Sequence, residues 1–285
     1  MNGPAVEPTI DRSTQVTVIS ANARKGWLDI SELRGGGDLL YYLVRRDILV
    51  RYVQTLLGLG WAIGQPLLTM VVFTIFFGRV ANVSAHGAPY AVFSLAALVP
   101  WTYFTNGVNG ASTSVVNNSP MLSKIYFPRI FIPLSPLLAA LVDFAIALLV
   151  LGAVMAGFGQ APQLGTLLLP IPILVMVLTT AGVGIWLAAL ASRYRDVRYV
   201  TPFFVQMLLF VSPVIYDGST ISAPARYLYA LNPMVGVIEA FRAAAIGYPA
   251  FPWASLGIGT LSALALFATG TRYFRSTERY FSDLA

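Results

Sequence analysis

Cysteine is absent from this 285-residue chain, histidine occurs once, and charged residues make up only 11% of the sequence. The lack of cysteine excludes disulfides, thiol nucleophiles and cysteine-bound iron–sulfur clusters. A single histidine, His86, cannot build a multi-histidine metal site. Soluble domains carry about 25% charged residues, whereas this chain is 57% hydrophobic. Together these shortages indicate an integral membrane protein.

Lysine is also scarce, and neither lysine lies in a nucleotide-binding motif. A phosphate loop needs a Gly-rich turn followed by Lys and then Ser or Thr, but Lys25 precedes glycine and Lys124 precedes isoleucine. If ATP drives this chain, we therefore expect another polypeptide to bind it. His86 lies in a short loop without a nucleophile elbow. The sequence thus predicts no catalytic residue, cofactor or metal in this chain.

Long apolar stretches occupy most of the sequence after residue 55. A membrane-spanning helix needs about 20 mostly apolar residues, and six stretches fit this pattern. They are residues 56–77, 90–108, 133–157, 167–191, 200–215 and 253–271. Residues 216–252 are apolar but interrupted by prolines, glycines and charges, which favours two short, half-buried re-entrant helices over another span. The predicted fold is an all-α integral membrane protein with six transmembrane helices.

The domain organisation follows from these spans. Residues 1–37 form a cytosolic lead-in without the apolar core of a signal peptide, and residues 38–55 form an interfacial amphipathic helix. The six-span domain covers 56–271, and 272–285 form a cytosolic tail. If the spans alternate, fifteen of the eighteen Lys and Arg residues share one side of the membrane. The positive-inside rule then places both termini in the cytoplasm. The basic balance is therefore a topology signal, and no nucleic-acid partner is expected.

The segment 38–55 has the pattern of a helix that lies on a membrane surface. Its apolar side contains Tyr41, Tyr42, Ile48, Leu49, Tyr52, Val53 and Leu56. Its polar side contains Arg46, Asp47, Arg51, Gln54 and Thr55. Such a helix places its apolar side in the head-group region and its charges in water. Arg45 falls on the apolar side, but its long stem can return the guanidinium to water.

The loop after the second span also predicts a short helix. Ser119 followed by Pro120 is typical of a helix start, and Pro128 and Pro133 end the segment. Its apolar side chains are Met121, Leu122, Ile125 and Tyr126. A short exposed helix with such side chains is suited to docking into a groove of a partner protein.

Three charged residues in apolar surroundings have alternative interpretations. Asp143, well inside the third span, fits a proton or cation relay, or a carboxyl bonded to a neighbouring helix. We favour the second because a relay needs further members and none is visible. Glu239 and Arg242 lie three residues apart, which fits a local ion pair as well as a substrate clamp.

Three stretches resemble the membrane subunits of polysaccharide-exporting ABC transporters. They are RYVQTLLGLGWAIGQPLL from residue 51, SKIYFPRIFIPL from residue 123, and SPVIY with the later YALNPMVGVIEAFR, which ends at residue 242. They occur in the order in which that family has them. The resemblance is weakest in the first 37 residues and in the outer loop around His86.

This resemblance implies a half-transporter of the bacterial cytoplasmic membrane. Two copies pair, and two cytosolic ATPase subunits, which bind ATP and Mg²⁺, dock below. The substrate class is a glycan or polyol phosphate on a polyprenyl diphosphate, as in O-antigen, capsule, teichoic acid and galactan export. The implied ATPase contacts are Arg46, Asp47, Arg51, Ser119, Met121 and Leu122.

A sliding glycan needs aromatic and polar surfaces, because buried hydroxyls without partners are costly. The candidate path residues are Phe93, Trp101, Tyr103, Phe104, Phe203, Phe210 and Tyr216. Helix packing or an interfacial aromatic belt would explain the same residues. Arg45, Arg46 and Arg51 are candidates for the lipid diphosphate. The competing functions are an ABC exporter of a drug or small lipid, an intramembrane transferase and a proton-coupled carrier; the last two lack the clustered ionisable residues that they need.

Overall fold

The computed structural model describes residues 36–53, 60–83, 85, 87–122, 127–161, 163–247 and 250–278. Within these ranges the chain is helical and contains no strand, which confirms the predicted all-α fold. Several residues discussed above lie outside the described residues: Lys25, Gln54, Thr55, Leu56, His86, Lys124, Ile125 and Tyr126. Most of the predicted lead-in and the end of the predicted tail also lie outside them.

Ten α-helices follow one another along the described ranges. They are α1 (Gly37–Tyr52), α2 (Gly60–Phe73), α3 (Tyr90–Asn117), α4 (Ser119–Leu122), α5 (Phe131–Gly157), α6 (Pro170–Arg193), α7 (Val197–Val211), α8 (Ala223–Tyr229), α9 (Pro233–Ile246) and α10 (Trp253–Thr277). A π-helical segment, Thr74–Val80, continues α2. A 3₁₀ turn, Leu164–Leu168, precedes α6.

Four helical segments of the described chain are long and apolar enough to cross a membrane. They are Gly60–Val80, Phe131–Gly157, Leu164–Arg193 and Trp253–Thr277. These segments correspond to the predicted first, third, fourth and sixth spans. The predicted second span corresponds to α3, and the predicted fifth to α7, which has only 15 residues. Length and composition therefore support four of the six predicted spans directly.

Helix α3 forms the centre of the bundle. It packs against both α5 and α6, and each of its residues from Tyr90 to Trp101 is buried. Its remaining length carries threonine, asparagine and serine side chains. Polar residues of membrane helices face the protein interior because hydrocarbon offers them no partner. This central position explains why a 28-residue helix has a weaker apolar signal than its neighbours.

Small residues allow α6 and α10 to pack backbone against backbone. A Cβ atom at Gly182 would lie 2.8 Å from the backbone nitrogen of Phe267, and one at Gly270 would lie 2.8 Å from the carbonyl oxygen of Gly182. Both distances are too short for any side chain. Glycine at such positions lets membrane helices approach closely and gain dispersion energy. The two glycines therefore fix this helix pair.

The segment between α7 and α10 contains two short helices, as the sequence predicts. The side chain of Asn232 accepts a hydrogen bond from the Met234 amide and so caps α9, and Pro233 occupies the first turn, where its missing donor costs nothing. Gly247 ends α9 with φ of 76°, a conformation that favours glycine. Every residue of α9 is buried against the rest of the protein; the re-entrant position of the two helices in the membrane stays a prediction.

Candidate functional site

Helix α1 is attached to α5 by polar side chains. The Ser135 hydroxyl donates a hydrogen bond to the Asp47 carboxylate. One turn further along α1, the Arg51 guanidinium forms an ion pair with Asp143. The Tyr52 hydroxyl donates to the other oxygen of the same carboxylate. Asp143 is therefore a carboxyl bonded to a neighbouring helix, which is the interpretation that the sequence favours.

These contacts correct the predicted orientation of α1. Asp47 and Arg51 were expected on the water-facing side, but both lie on the side that packs against α5. Leu43 is buried on that side, whereas Tyr41 and Tyr42 of the predicted membrane side are exposed. The helical periodicity of α1 does not reveal this side, because the partner of Arg51 is a carboxyl group 92 residues away. Arg46 remains exposed and pairs with its neighbour Asp47 at 2.9 Å.

Helix α4 confirms a helical turn at Ser119 and changes the interpretation of its apolar side chains. The sequence predicts that the Leu122 side chain is exposed for docking. In the structure it is only 8% exposed and belongs to an apolar cluster with Phe127 and Phe131. Met121 is half-buried against the same cluster. Leu122 thus anchors the turn to the bundle. Pro120 is the exposed residue of this turn, whereas Ser119 is half-buried like Met121.

The predicted path residues separate into a buried and an exposed group. Phe93, Trp101, Tyr103 and Phe104 of α3 are buried inside the protomer. By contrast, Phe203 is 63% exposed and Phe210 is 56% exposed on α7. Tyr216 is half-buried, with its hydroxyl 2.9 Å from that of Tyr229. Burial inside one protomer favours a packing role for the first group, whereas the second group presents aromatic surface outward.

Arg242 is a structural hub that the sequence did not reveal. Its side chain is 2% exposed and donates to the carbonyl oxygens of Pro213 at 2.6 Å, Val214 at 2.7 Å and Tyr216 at 3.0 Å. It also donates to the carbonyl of Phe93 at 3.2 Å and lies 3.6 Å from the centroid of the Phe93 ring. The carbonyls of Pro213, Val214 and Tyr216 follow the C-terminal end of α7, where backbone acceptors lack helical partners.

Glu239 does not form the expected ion pair with Arg242. Among the described residues its cationic neighbour is Arg226, with a nitrogen–oxygen distance of 3.6 Å. In this segment outside the spans, burial raises the pKa of the Glu239 carboxyl above its usual range, and the charge of Arg226 opposes the shift. Both carboxyl oxygens are buried. The local ion pair, one of the two interpretations of the three-residue spacing, is therefore not formed, and Glu239 instead takes part in a contact between α8 and α9.

Ligand groups for a metal ion are not gathered within the described ranges. No cluster of three or more histidine or acidic side chains occurs there. The site that the structure does assemble is instead a set of polar contacts between helices and a set of exposed aromatic rings. Such an arrangement joins the helices and presents aromatic surface at the outside of the protomer.

Comparison with known proteins gives consistent similarities. Residues 38–246 match the family model described as ABC-2 type transporter. An O-antigen export system permease protein of Myxococcus xanthus is 28% identical over 216 residues, which are 75% of this chain and 82% of the relative. A protein of the same name from Klebsiella pneumoniae is 26% identical over 206 residues, or 72% and 79% of the two chains. A polysialic acid transport protein of Escherichia coli is 23% identical over 239 residues, or 83% and 92%. The family match extends from α1 through α9.

Proposed function

Because this chain belongs to the ABC-2 type transporter family, we propose that it is the membrane subunit of an exporter for a polyprenyl-diphosphate-linked polysaccharide in the bacterial cytoplasmic membrane. The observation that carries this proposal is the similarity to permeases named for O-antigen export and polysialic acid transport over 72–83% of the chain. An exporter of a drug or small lipid is less well supported, because these relatives are named for polysaccharides.

The proposed topology has six spans, formed by α2, α3, α5, α6, α7 and α10. Helix α3 has 28 residues and would measure about 42 Å at 1.5 Å per residue, enough to cross a bilayer. Its polar side chains are compatible with this role because they face other helices. Helix α7 is shorter, and α8 and α9 would form a re-entrant cap at its outer end. An even number of spans keeps both termini on one side, and the basic residues favour the cytoplasm.

The proposed transporter contains two copies of this chain with the glycan path between them. Support comes from the outward surfaces of α2 and α7. Large apolar side chains are exposed there, namely Trp61, Leu68, Val72, Phe76, Phe203, Phe204, Met207, Phe210 and Val211. Of the predicted path residues, we retain Phe203, Phe210 and Tyr216. We assign Phe93, Trp101 and Phe104 to packing, since they are buried within one protomer.

Energy would come from two cytosolic ATPase subunits that bind ATP and Mg²⁺. Helix α1 and the turn at α4 are the proposed contacts. For this role Arg46 is exposed and Ser119 is half-buried, whereas Asp47, Arg51 and Leu122 would act by attaching these elements to the bundle. Movement of α1 would reach α5 directly through the Arg51–Asp143 ion pair. Arg45 and Arg46 are the better candidates for the lipid diphosphate, because both are exposed whereas Arg51 is half-buried in the contact with Asp143.

Deletion of this chain in its native host tests the proposed function. We expect lipid-linked glycan to accumulate inside the cell and surface glycan to disappear, with both effects reversed by the wild-type chain. The tagged chain should also co-purify with an ATP-binding subunit. A deletion strain with normal surface glycan and no internal accumulation would refute the proposal. Altered drug sensitivity with normal glycan would support the small-molecule exporter instead.

A further inference from the structure

A cavity of about 350 Å³ lies within the protomer, between α1, α2, α3 and α5. We call it the α3 cavity; its wall includes Trp61, Gln65, Asn106, Asn109 and Asp143. Its volume falls within the range of about 300–1,000 Å³ that is typical of small-molecule sites. Among the seven predicted path residues only Tyr103 lines it. The cavity is thus distinct from the outward aromatic surface of α7.

One wall of the α3 cavity is polar. Thr102, Asn106 and Asn109 line it from α3, and their spacing of four and three residues places them on one helix face. Gln65 contributes a further amide from α2. The Oδ1 atom of Asn109 is buried and has no hydrogen-bond partner within the described part of the chain. The hydroxyl of Thr102 and the amides of Gln65 and Asn106 both donate and accept, so this wall is suited to a ligand that does both.

The charges of the α3 cavity cancel. Arg51 and Asp143 both line it, and they form an ion pair with each other. A phosphate would require an unpaired cation, and a cationic ligand would require an unpaired carboxylate. Neither is present among the described residues of the wall. The electrostatics therefore favour a neutral ligand that both donates and accepts hydrogen bonds.

Aromatic rings complete the wall. Trp61, Tyr52, Tyr103 and Phe144 all line the cavity, and Tyr103 and Phe144 lie edge to face with their centroids 5.7 Å apart. Trp61 is 54% exposed and so lies at the accessible edge. Aromatic faces contact the C–H surfaces of a sugar ring, while amide groups satisfy its hydroxyls because amides both donate and accept.

We propose that the α3 cavity binds a neutral sugar residue, an inference that rests on the proposed export of a polysaccharide. Thr102, Gln65 and Asn106 of the wall would donate to and accept from the hydroxyls of the sugar. The sugar ring would lie against Trp61. The cavity thereby holds one saccharide unit inside each protomer, beside the Arg51–Asp143 contact that connects α1 to α5. A sugar bound in the cavity would then affect the position of helix α1 through this contact.

Photo-crosslinking in glycan-producing cells tests this proposal. Benzoylphenylalanine, which is aromatic like tryptophan, replaces Trp61 in one variant. It replaces Phe203 on the α7 surface in a second variant, and Leu264, which is exposed on α10, in a control. We expect glycan attached to the chain at position 61 and none at position 264. Glycan captured at position 203 but not at 61 would overturn the sugar site and leave the proposed function standing. Glycan captured at none of the three positions while export continues would also overturn the sugar site, and the deletion test decides the proposed function separately.

A second substitution distinguishes a hydrogen-bonded site from mere proximity. In the chain with the crosslinker at position 61, Asn106→Leu keeps the approximate side-chain size and removes the amide. We expect the crosslinked fraction to fall about tenfold, as for the loss of one hydrogen bond of this kind, with protein level and ATPase co-purification unchanged. Thr113→Val, a substitution on α3 outside the cavity wall, should leave the crosslinked fraction unchanged. Equal crosslinking with and without Asn106→Leu would refute a sugar-binding role for this wall.

Discussion

Replacement of Arg242 should destabilise the part of the bundle where α3, α9 and the end of α7 meet. This side chain joins three parts of the chain, since it extends from α9 to the carbonyls that follow α7 and to the backbone and ring of Phe93 in α3. Glutamine keeps polarity but loses the charge and most of the donors. Lysine keeps the charge but loses the planar group that lies on the Phe93 ring.

The magnitude follows from the acceptors that Arg242→Gln leaves behind. Four carbonyl oxygens lose a guanidinium donor at 2.6–3.2 Å. If water or the new amide satisfies half of them, two remain at about 1–3 kcal/mol each. The lost contact with the aromatic ring adds about 0.5–2 kcal/mol. Removal of a buried charge returns part of its desolvation cost. We expect a net loss of about 3–5 kcal/mol, which lowers the melting temperature by about 6–20 °C.

Thermal unfolding of the purified chain in detergent measures this effect. Arg195→Gln is the matched control, because Arg195 lies exposed in the turn between α6 and α7 and its replacement should change stability by less than about 0.5 kcal/mol. Arg242→Lys should give an intermediate melting temperature. If Arg242→Gln melted at the same temperature as Arg195→Gln, the carbonyl contacts would not stabilise the bundle, and the role assigned to Arg242 would be wrong.

Three further predictions concern other contacts of the bundle. Arg51→Gln and Asp143→Asn should together destabilise the chain less than the sum of the two single changes, with a coupling of about 1–2 kcal/mol in thermal unfolding; strictly additive effects would contradict a direct contact between α1 and α5. Gly182→Ala should cost about 1–3 kcal/mol of folding stability, since its Cβ would meet the α10 backbone. Gly152→Ala is the control and should not destabilise the chain, because the space around Gly152 is open. Equal melting temperatures of the two variants would contradict the close packing of α6 and α10. Burial raises the pKa of the Glu239 carboxyl in the folded state. The protonated carboxyl therefore stabilises the folded state below its unfolded pKa of about 4.3, and this contribution is lost as pH rises through the folded pKa. Glu239→Gln should remove that part of the pH dependence of stability, and an unchanged pH profile would refute the prediction.

Composition alone was enough to predict the helical membrane fold. A chain with few charges and long apolar stretches has to satisfy its backbone inside the membrane, and helices do so within each segment. The predicted short helices between residues 216 and 252 also follow from local chemistry, because prolines and glycines clustered with charged residues disfavour one long uninterrupted helix. Asn232, Pro233 and Gly247 then mark the ends of α9 in the sequence itself.

Orientation and partners required the tertiary structure. The side chains of Asp47 and Arg51 look solvent-facing when only the periodicity of α1 is considered, yet their partners lie on α5, 88 and 92 residues away. The same holds for Arg242, whose most distant contact, Phe93, is 149 residues away. The one local signal was that Asp143 is an acidic residue deep in an apolar stretch, since such a residue needs a partner. Sequence spacing does not identify that partner.

The Gly182–Gly270 contact determines which parts of the protomer can move relative to one another. A lengthwise shift by one residue, about 1.5 Å, would bring a side chain into a space that holds only hydrogen atoms. Sliding between α6 and α10 is therefore sterically blocked, and the two helices must move together as one rigid body. Helix α2, whose apolar span buries the smallest share of its residues, can instead tilt without breaking close backbone contacts. Conformational change in this protein should thus be a hinge motion at the edge of the bundle.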